Sequence, residues 1–319
     1  MRRTLRTVGL GTIAATLGFG ALLSVSPAHA ASNTITIWVD QKRIANYREV
    51  FPNGTYAGYD INLVPKDFGK IRDDLSTVSA DSAPDVITGA HDWTGALAAN
   101  GSIVKLNVPA ATIKALFPYA LNGFKYAGAI YGIPSLIENV AMITNANLIK
   151  TQPKTFTELA TQALALKKAG KVTVPFAVPQ GANGDAYHMY PLFSGLGGYV
   201  FGTTPTGSVN VRNVGLDNPT FAKNQEIING WNKTGLINSK VDYGIAKDAF
   251  VAGKAPFWIT GPWELDALKA LKFKYRITAV PAIVNGIPPV PFLGAQGFMV
   301  TKFAATHGVQ TGANSLVAE

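Results

Sequence analysis

The sequence predicts an α/β protein. Short apolar strands alternate with helical segments, polar residues follow each strand, and the helices carry start and stop signals. Thr34-Ile-Thr-Ile-Trp-Val39 alternates as a strand should and then meets Asp40-Gln-Lys-Arg43, a charged loop at the strand's end. Pro84-Asp-Val-Ile87 is a second strand, followed by Thr88-Gly-Ala-His-Asp-Trp93, and Tyr131–Pro134 and Val140–Thr144 are further β-type runs. Thr155-Phe-Thr-Glu158 has the form of a capping box, its helix continues through Leu166, and Gly170 stops it before a strand over Val172–Val178. Helices over Pro219–Trp231 and Tyr243–Val251 repeat the scheme, the second leading past Gly253 into a strand over Ala255–Thr260. Such alternation predicts mainly parallel sheets.

The 319 residues, 47% hydrophobic and 15% charged, suffice for a large core and two domains of ordinary size. Arg2, Arg3 and Arg6, the apolar run Val8–Val25 and Ala28-His-Ala30 read as a signal peptide over 1–30, so the mature chain is expected outside the cytoplasm. Without those arginines 25 basic residues face 19 acidic ones, a net charge near +6. The lysines are scattered and no nucleic-acid motif accompanies them, so no nucleic-acid partner is expected. The chain has no cysteine, which excludes disulfides, thiolate metal sites, a cysteine nucleophile and a lipid anchor on the mature chain.

Enzyme and cofactor motifs are missing: there is no G-x-S-x-G, H-E-x-x-H, Walker loop or G-x-G-x-x-G. His91, His188 and His307 lack companion ligands at metal-site spacing and read as structural or surface residues, so neither metal nor cofactor is expected. Glu138, Asp185 and Glu264 leave a glycoside hydrolase open as an alternative, but carboxylates also bind sugar hydroxyls without chemistry. Aromatic rings and acids recur together beside turns, in His91-Asp-Trp93, Asp185-Ala-Tyr187-His188 and Gly261-Pro-Trp-Glu264. A sugar offers an apolar C–H face to a ring and a rim of hydroxyls to charged groups, so this pairing suits carbohydrate.

Five segments carry a family resemblance: ITIWVD at the first strand, APDVITGAHDW at 83–93, AIYGIPSLIENVAMITNANLI at 129–149, PKTFTEL at 153–159 and DYGIAKDAFVAGKAPFWITGPWEL at 242–265. In this order the chain resembles bacterial extracellular solute-binding proteins of ABC sugar importers, most closely the maltose/maltodextrin-binding proteins. The resemblance implies a two-lobed periplasmic-binding-protein fold with the ligand cleft between the lobes. Lobe one would comprise 32–137 plus 290–319, and lobe two 138–289. It also implies a monomer that closes on a maltooligosaccharide or related α-glucoside, breaks no bond, and is read by the permease subunits. Another sugar or solute class is the alternative within this family.

Carried over by position, the resemblance makes Asp40 and Arg43 hydroxyl-holding residues, with Gln41 and Lys42 left open as alternatives. Asp92 matches a cleft acid, and Trp93 stands where family members have arginine, exchanging a hydrogen-bonding fork for a stacking plate. Glu138 matches the cleft glutamate near the crossing between lobes. Asp185 and Tyr187 resemble an acid and a stacking aromatic, and Trp263 matches the stacking tryptophan of G-P-W. Gly261 and Pro262 are expected to turn the chain so that Trp263 faces the sugar, with Glu264 favouring the start of the next helix rather than touching ligand. Family members continue with further helices beyond GFMVTKFA. The apolar face of Val309, Ala313, Leu316 and Val317 reads as the start of such a helix, so C-terminal helices are expected to be missing and the frame to extend past Glu319.

Overall fold

The computed structural model of the protein describes residues 33–204 and 209–318, so the expected signal peptide lies outside the described residues. The described strands are β1 (Thr34–Asp40), β2 (Thr55–Tyr56), β3 (Tyr59–Lys66), β4 (Val86–Ala90), β5 (Lys125–Tyr126), β6 (Ala129–Ile130), β7 (Ile133–Glu138), β8 (Ala141–Asn145), β9 (Phe201–Thr203), β10 (Val209–Val214), β11 (Phe257–Thr260), β12 (Tyr275–Thr278) and β13 (Gly294–Val300). Six of them form a sheet in the order β2-β3-β1-β4-β13-β7, and three form a second in the order β11-β8-β12. The first sheet thus draws its strands from both ends of the described chain and the second from the stretch between.

Alternation within the strands places a layer on each side of both sheets. Ile35, Ile37 and Val39 of β1 are fully buried and cluster with Val300, Val309, Ala313 and Val317. The last two lie on helix Gln310–Ala318, which presents the apolar face read from the sequence. Trp38, on the opposite face of β1, clusters with Ile71 and Leu75 of helix Phe68–Thr77. In the second sheet Met142, Phe257 and Ile259 pack with Phe156, Leu159 and Ala163 of helix Phe156–Lys168. Ile143 and Trp258 face the other way, toward Ala246 and Phe250 of helix Tyr243–Val251. The α/β class is as expected.

Helix Phe156–Lys168 begins on the anticipated capping residues. Thr155 Oγ1 accepts from the Glu158 amide at 3.2 Å, and the Glu158 carboxylate accepts from the Lys154 amide at 2.7 Å, one residue further back than in the standard box.

Three expectations are corrected. β1 pairs in parallel with β3 and β4, but β13 is antiparallel to both its neighbours and every pair of the second sheet is antiparallel. Only Asn139 and Val140 separate β7 from β8, so the chain passes from the first sheet to the second without an intervening helix. Val172–Val178 is not a strand. Pro175 has no N–H to give to a ladder, and the segment meets its neighbour through one bridge, Ala177 to Trp258, and the Lys254 carbonyl. Pro219–Trp231 is two helices, Pro219–Asn224 and Glu226–Thr234, the second ending at Gly235 with φ 69°.

One buried charge fastens the chain beyond β13 to the first sheet. Asp85, 1% exposed, accepts the Thr36 amide at 2.7 Å and lies 2.7 Å from His307 Nδ1, while His307 Nε2 lies 2.8 Å from the Ala80 carbonyl. Carboxylate and carbonyl both accept, so both ring nitrogens donate only as an imidazolium. Burial opposes that charge, but the hydrogen bonds to Asp85 and Ala80 outweigh it and raise the His307 pKa above 6.5. A raised folded value means that the stabilisation is complete below the unfolded value of 6.5 and is lost as pH rises through the folded one. The melting temperature of wild type should therefore exceed that of His307→Gln most below pH 6.5, and the gap should narrow as the medium becomes alkaline, as differential scanning calorimetry across pH will show.

Candidate functional site

A cavity of about 910 Å³ opens where β1, β4, β7 and β11 deliver their carboxyl ends. Of the eight expected site residues, Asp40, Arg43, Asp92, Trp93, Glu138, Tyr187 and Trp263 line it. Gln41 and Lys42 line it too, so the whole loop after β1 faces the cavity. Asp185 does not. Its carboxylate caps helix Ala186–Gly195 by accepting the His188 amide at 3.0 Å and takes the His188 Nδ1–H at 2.8 Å, so it sets the orientation of a ring that does line the cavity. Those bonds from His188 overcome burial and hold Asp185 below the ordinary carboxylate range.

The floor is a closed polar network. Arg43 donates to Glu138 Oε2 at 2.6 Å and to Gln296 Oε1, and Gln296 Nε2 donates to Glu138 Oε1 at 2.5 Å. Asp40 stands 3.7 Å from Arg43 and turns its other oxygen to the Lys42 amide at 2.9 Å, capping the turn Gln41–Arg43. The Arg43 and Glu138 side chains are only 12% and 6% exposed. Burial pushes the Glu138 carboxyl above its ordinary value, against the pull of Arg43 and Gln296. Above the floor, burial and then the charges of Glu138 and Asp92 push the Tyr187 phenol up to about 12, so it remains a neutral hydrogen-bonding group.

The aromatic walls differ from expectation in one respect. Trp93 is 8% exposed: Phe68 stacks on it with centroids 4.9 Å apart at 29°, and Gly89 backs the indole so closely that a β-carbon there would stand 3.1 Å from the ring. The outer plate on this wall is therefore Phe68, with Trp93 as its support. On the other wall Trp263 lies 6.0 Å from Tyr187 and 5.7 Å from His188, edge-on to the imidazole, and Phe292 stacks on Tyr190 at 3.6 Å.

The Gly261-Pro262 corner works by space rather than by conformational freedom. Gly261 has φ −117°, open to any residue, but a β-carbon there would overlap the six-membered ring of Trp263. On its other edge the Trp263 Nε1–H donates to Tyr243 Oη at 2.7 Å. Glu264 is 2% exposed and accepts from Lys42 at 3.1 Å, from Lys247 at 2.7 Å and from the Tyr243 hydroxyl, a role beyond the helix-start preference read from the sequence.

The model of the bacterial extracellular solute-binding protein family matches residues 44–318. The chain belongs to that family. Among relatives, the maltodextrin-binding protein MdxE of Bacillus subtilis is 30% identical over 233 residues, covering 70% of this chain and 54% of the relative. The maltooligosaccharide ABC transporter solute-binding lipoprotein of Streptococcus pneumoniae is 28% identical, covering 92% and 71%. The galactooligosaccharide-binding protein of Bacillus subtilis is 24% identical, covering 88% and 68%. This solute-binding protein thus spans about half the length of the first of these relatives.

His188, read from the sequence as a structural or surface histidine, is buried and lines the cleft of this solute-binding protein, and Tyr243, Phe68, Phe292 and Gln296, to which the sequence assigned no role, line it too. Phe68 follows Asp67, whose carboxylate accepts the Gly69 amide, and a capping aspartate directly after strand β3 was the available signal for a further loop at the cleft. Gln296 carried no such signal, because only the pairing of β13 with β7 brings it to Glu138.

Removing Arg43 alone leaves Glu138 buried without its cation, so Arg43→Ala should destabilise by about 3–5 kcal/mol. Arg43→Ala combined with Glu138→Gln should recover part of that loss in urea titrations. Gly261→Ala should leave the cooperative transition in place while exposing Trp263 to acrylamide quenching.

Proposed function

We propose that this protein is the extracellular substrate-binding component of an ABC importer, capturing maltose- or maltodextrin-type oligosaccharides and delivering them to the membrane permease. The observation that carries this reading is the cleft itself. Aromatic rings stand on both walls, with Phe68 over Trp93 on one and Tyr187 with Trp263 on the other, above a floor of hydrogen-bonding charged groups. Rings take the C–H faces of glucosyl units, and Asp40, Arg43, Asp92 and Glu138 take their hydroxyls. Two of the relatives described above are named for maltodextrin or maltooligosaccharide binding, which favours α-glucosides as the ligand class.

The protein works by closure of two lobes, 32–137 with 290–319 and 138–289, about the crossing at Asn139 and Val140. The division of strands between two sheets supports these boundaries. It acts as a monomer without cofactor or nucleic acid, breaks no bond, and resides in the periplasm or outside the cell without a cysteine-borne lipid. Selectivity comes from buried polar groups that a wrong epimer leaves unpaired.

Intrinsic tryptophan fluorescence, titrated with maltose, maltotriose, trehalose, glucose and a galactooligosaccharide, tests the reading. A saturable change with an α-glucoside, and the sugar recovered intact by chromatography, is the expected result. Saturation with the galactooligosaccharide alone, shortened products, or no response from a cooperatively melting protein would overturn it.

A further inference from the structure

Glu264 is a buried carboxylate beside the cleft that the oligosaccharide reading does not use. It stands behind the cleft wall and is absent from the cavity lining, whereas Lys42, Tyr243 and Trp263, all bound to it directly or through one hydroxyl, line the cavity. The chain of donors is ordered. The Trp263 Nε1–H donates to Tyr243 Oη at 2.7 Å, the Tyr243 hydroxyl donates to Glu264 Oε1, and Glu264 has only acceptors to offer. An indole donates and never accepts, so the direction of every proton in the series follows from its ends.

Local sequence builds this arrangement. Tyr243 opens helix Tyr243–Val251, and Lys247, four residues later, lies on the same face and reaches Glu264 Oε2 at 2.7 Å. Glu264 follows Trp263 in the chain, so the acceptor and the ring it fixes share one turn, Pro262–Glu264. Lys42 arrives from the loop after β1 on the first sheet, 222 residues away, and donates to Glu264 Oε1 at 3.1 Å. With Gly261 against one edge of the indole and Tyr243 on the other, rotation of Trp263 requires breaking the Tyr243 bond.

We propose that Glu264 is a positioning residue of the cleft: through Tyr243 it fixes the plane of the Trp263 indole, and through Lys42 it ties that plate to the loop after β1 of the first sheet. Ligand affinity then depends on a carboxylate that the ligand does not touch. The affinity part rests on the oligosaccharide reading above, while the positioning part stands on the ligand-free protein.

The test compares wild type with Glu264→Gln, Tyr243→Phe and the double variant, all as the full mature chain. Glu264→Gln keeps an acceptor oxygen and loses the charge that holds both lysines. Tyr243→Phe keeps the ring and deletes the hydroxyl between Trp263 and Glu264. The readouts are the Trp263 indole N–H resonance of the ligand-free protein, assigned with Trp263→Phe, together with maltotriose affinity by calorimetry and the melting temperature.

Both single variants should shift the Trp263 resonance and weaken maltotriose about tenfold, and the double variant should be no weaker than the worse single one, as groups acting in series require. An unmoved Trp263 resonance in Tyr243→Phe, or single losses that multiply in the double variant, would overturn the proposal. Should Glu264→Gln fail to fold, the Tyr243→Phe resonance decides alone. If wild type binds no maltotriose yet both resonances move, the oligosaccharide reading fails and the positioning role stands.

Discussion

A guanidinium and a carboxylate held out of water must find each other, and the geometry of this protein turns on where Arg43 and Glu138 do so. Arg43 follows the first strand, Glu138 ends β7 and Gln296 lies near the start of β13, so their mutual bonds join three distant segments at one point. Each group satisfies the others' hydrogen-bonding capacity, and none can move without leaving a buried polar atom unpaired. That constraint sets the floor of the cleft, and the walls rise from the same strand ends. Loops at the carboxyl ends of the strands are free of ladder duties, so they carry the aromatics and acids without disturbing the layers beneath.

The cleft divides its labour between flat surfaces and directed bonds. Its rings are set by close packing, Trp93 against Gly89 and Phe68, and Trp263 against Gly261. Its charges are set by one another, so that Asp40, Arg43 and Glu138 are largely satisfied before any ligand arrives. A binding surface organised in this way loses little side-chain freedom on taking up its ligand, and what it gains in contact is retained as affinity.

Much of this was legible in the sequence because period-2 alternation and caps are local signals. β1, the Thr155 cap and the apolar face at Val309 and Ala313 stand where their residues indicated. Strand direction was not legible, since it is set by pairings between segments far apart in the chain. The run over Val172–Val178 misled because β-branched residues suggest a strand while Pro175 withholds the donor that a ladder requires. In the cleft, residues adjacent to strand ends could be named in advance, as Asp40 and Trp263 were. Partners brought by tertiary pairing could not: Gln296 reaches Glu138 across 158 residues and Lys42 reaches Glu264 across 222. Asp185 shows the limit from the other side, for an acid beside an aromatic can serve its neighbour's ring instead of the cavity.

The place of β13 in the first sheet has a kinetic side. It lies between β4 and β7, so β7 has no ladder to the rest of that sheet until residues 294–300 arrive. The second sheet draws all its strands from 141–278 and can assemble as soon as that stretch has emerged. The first sheet is therefore sealed across loops longer than any that the second sheet must close. Contacts of that sequence separation form slowly, so the first sheet is expected to be completed after the second as the chain folds.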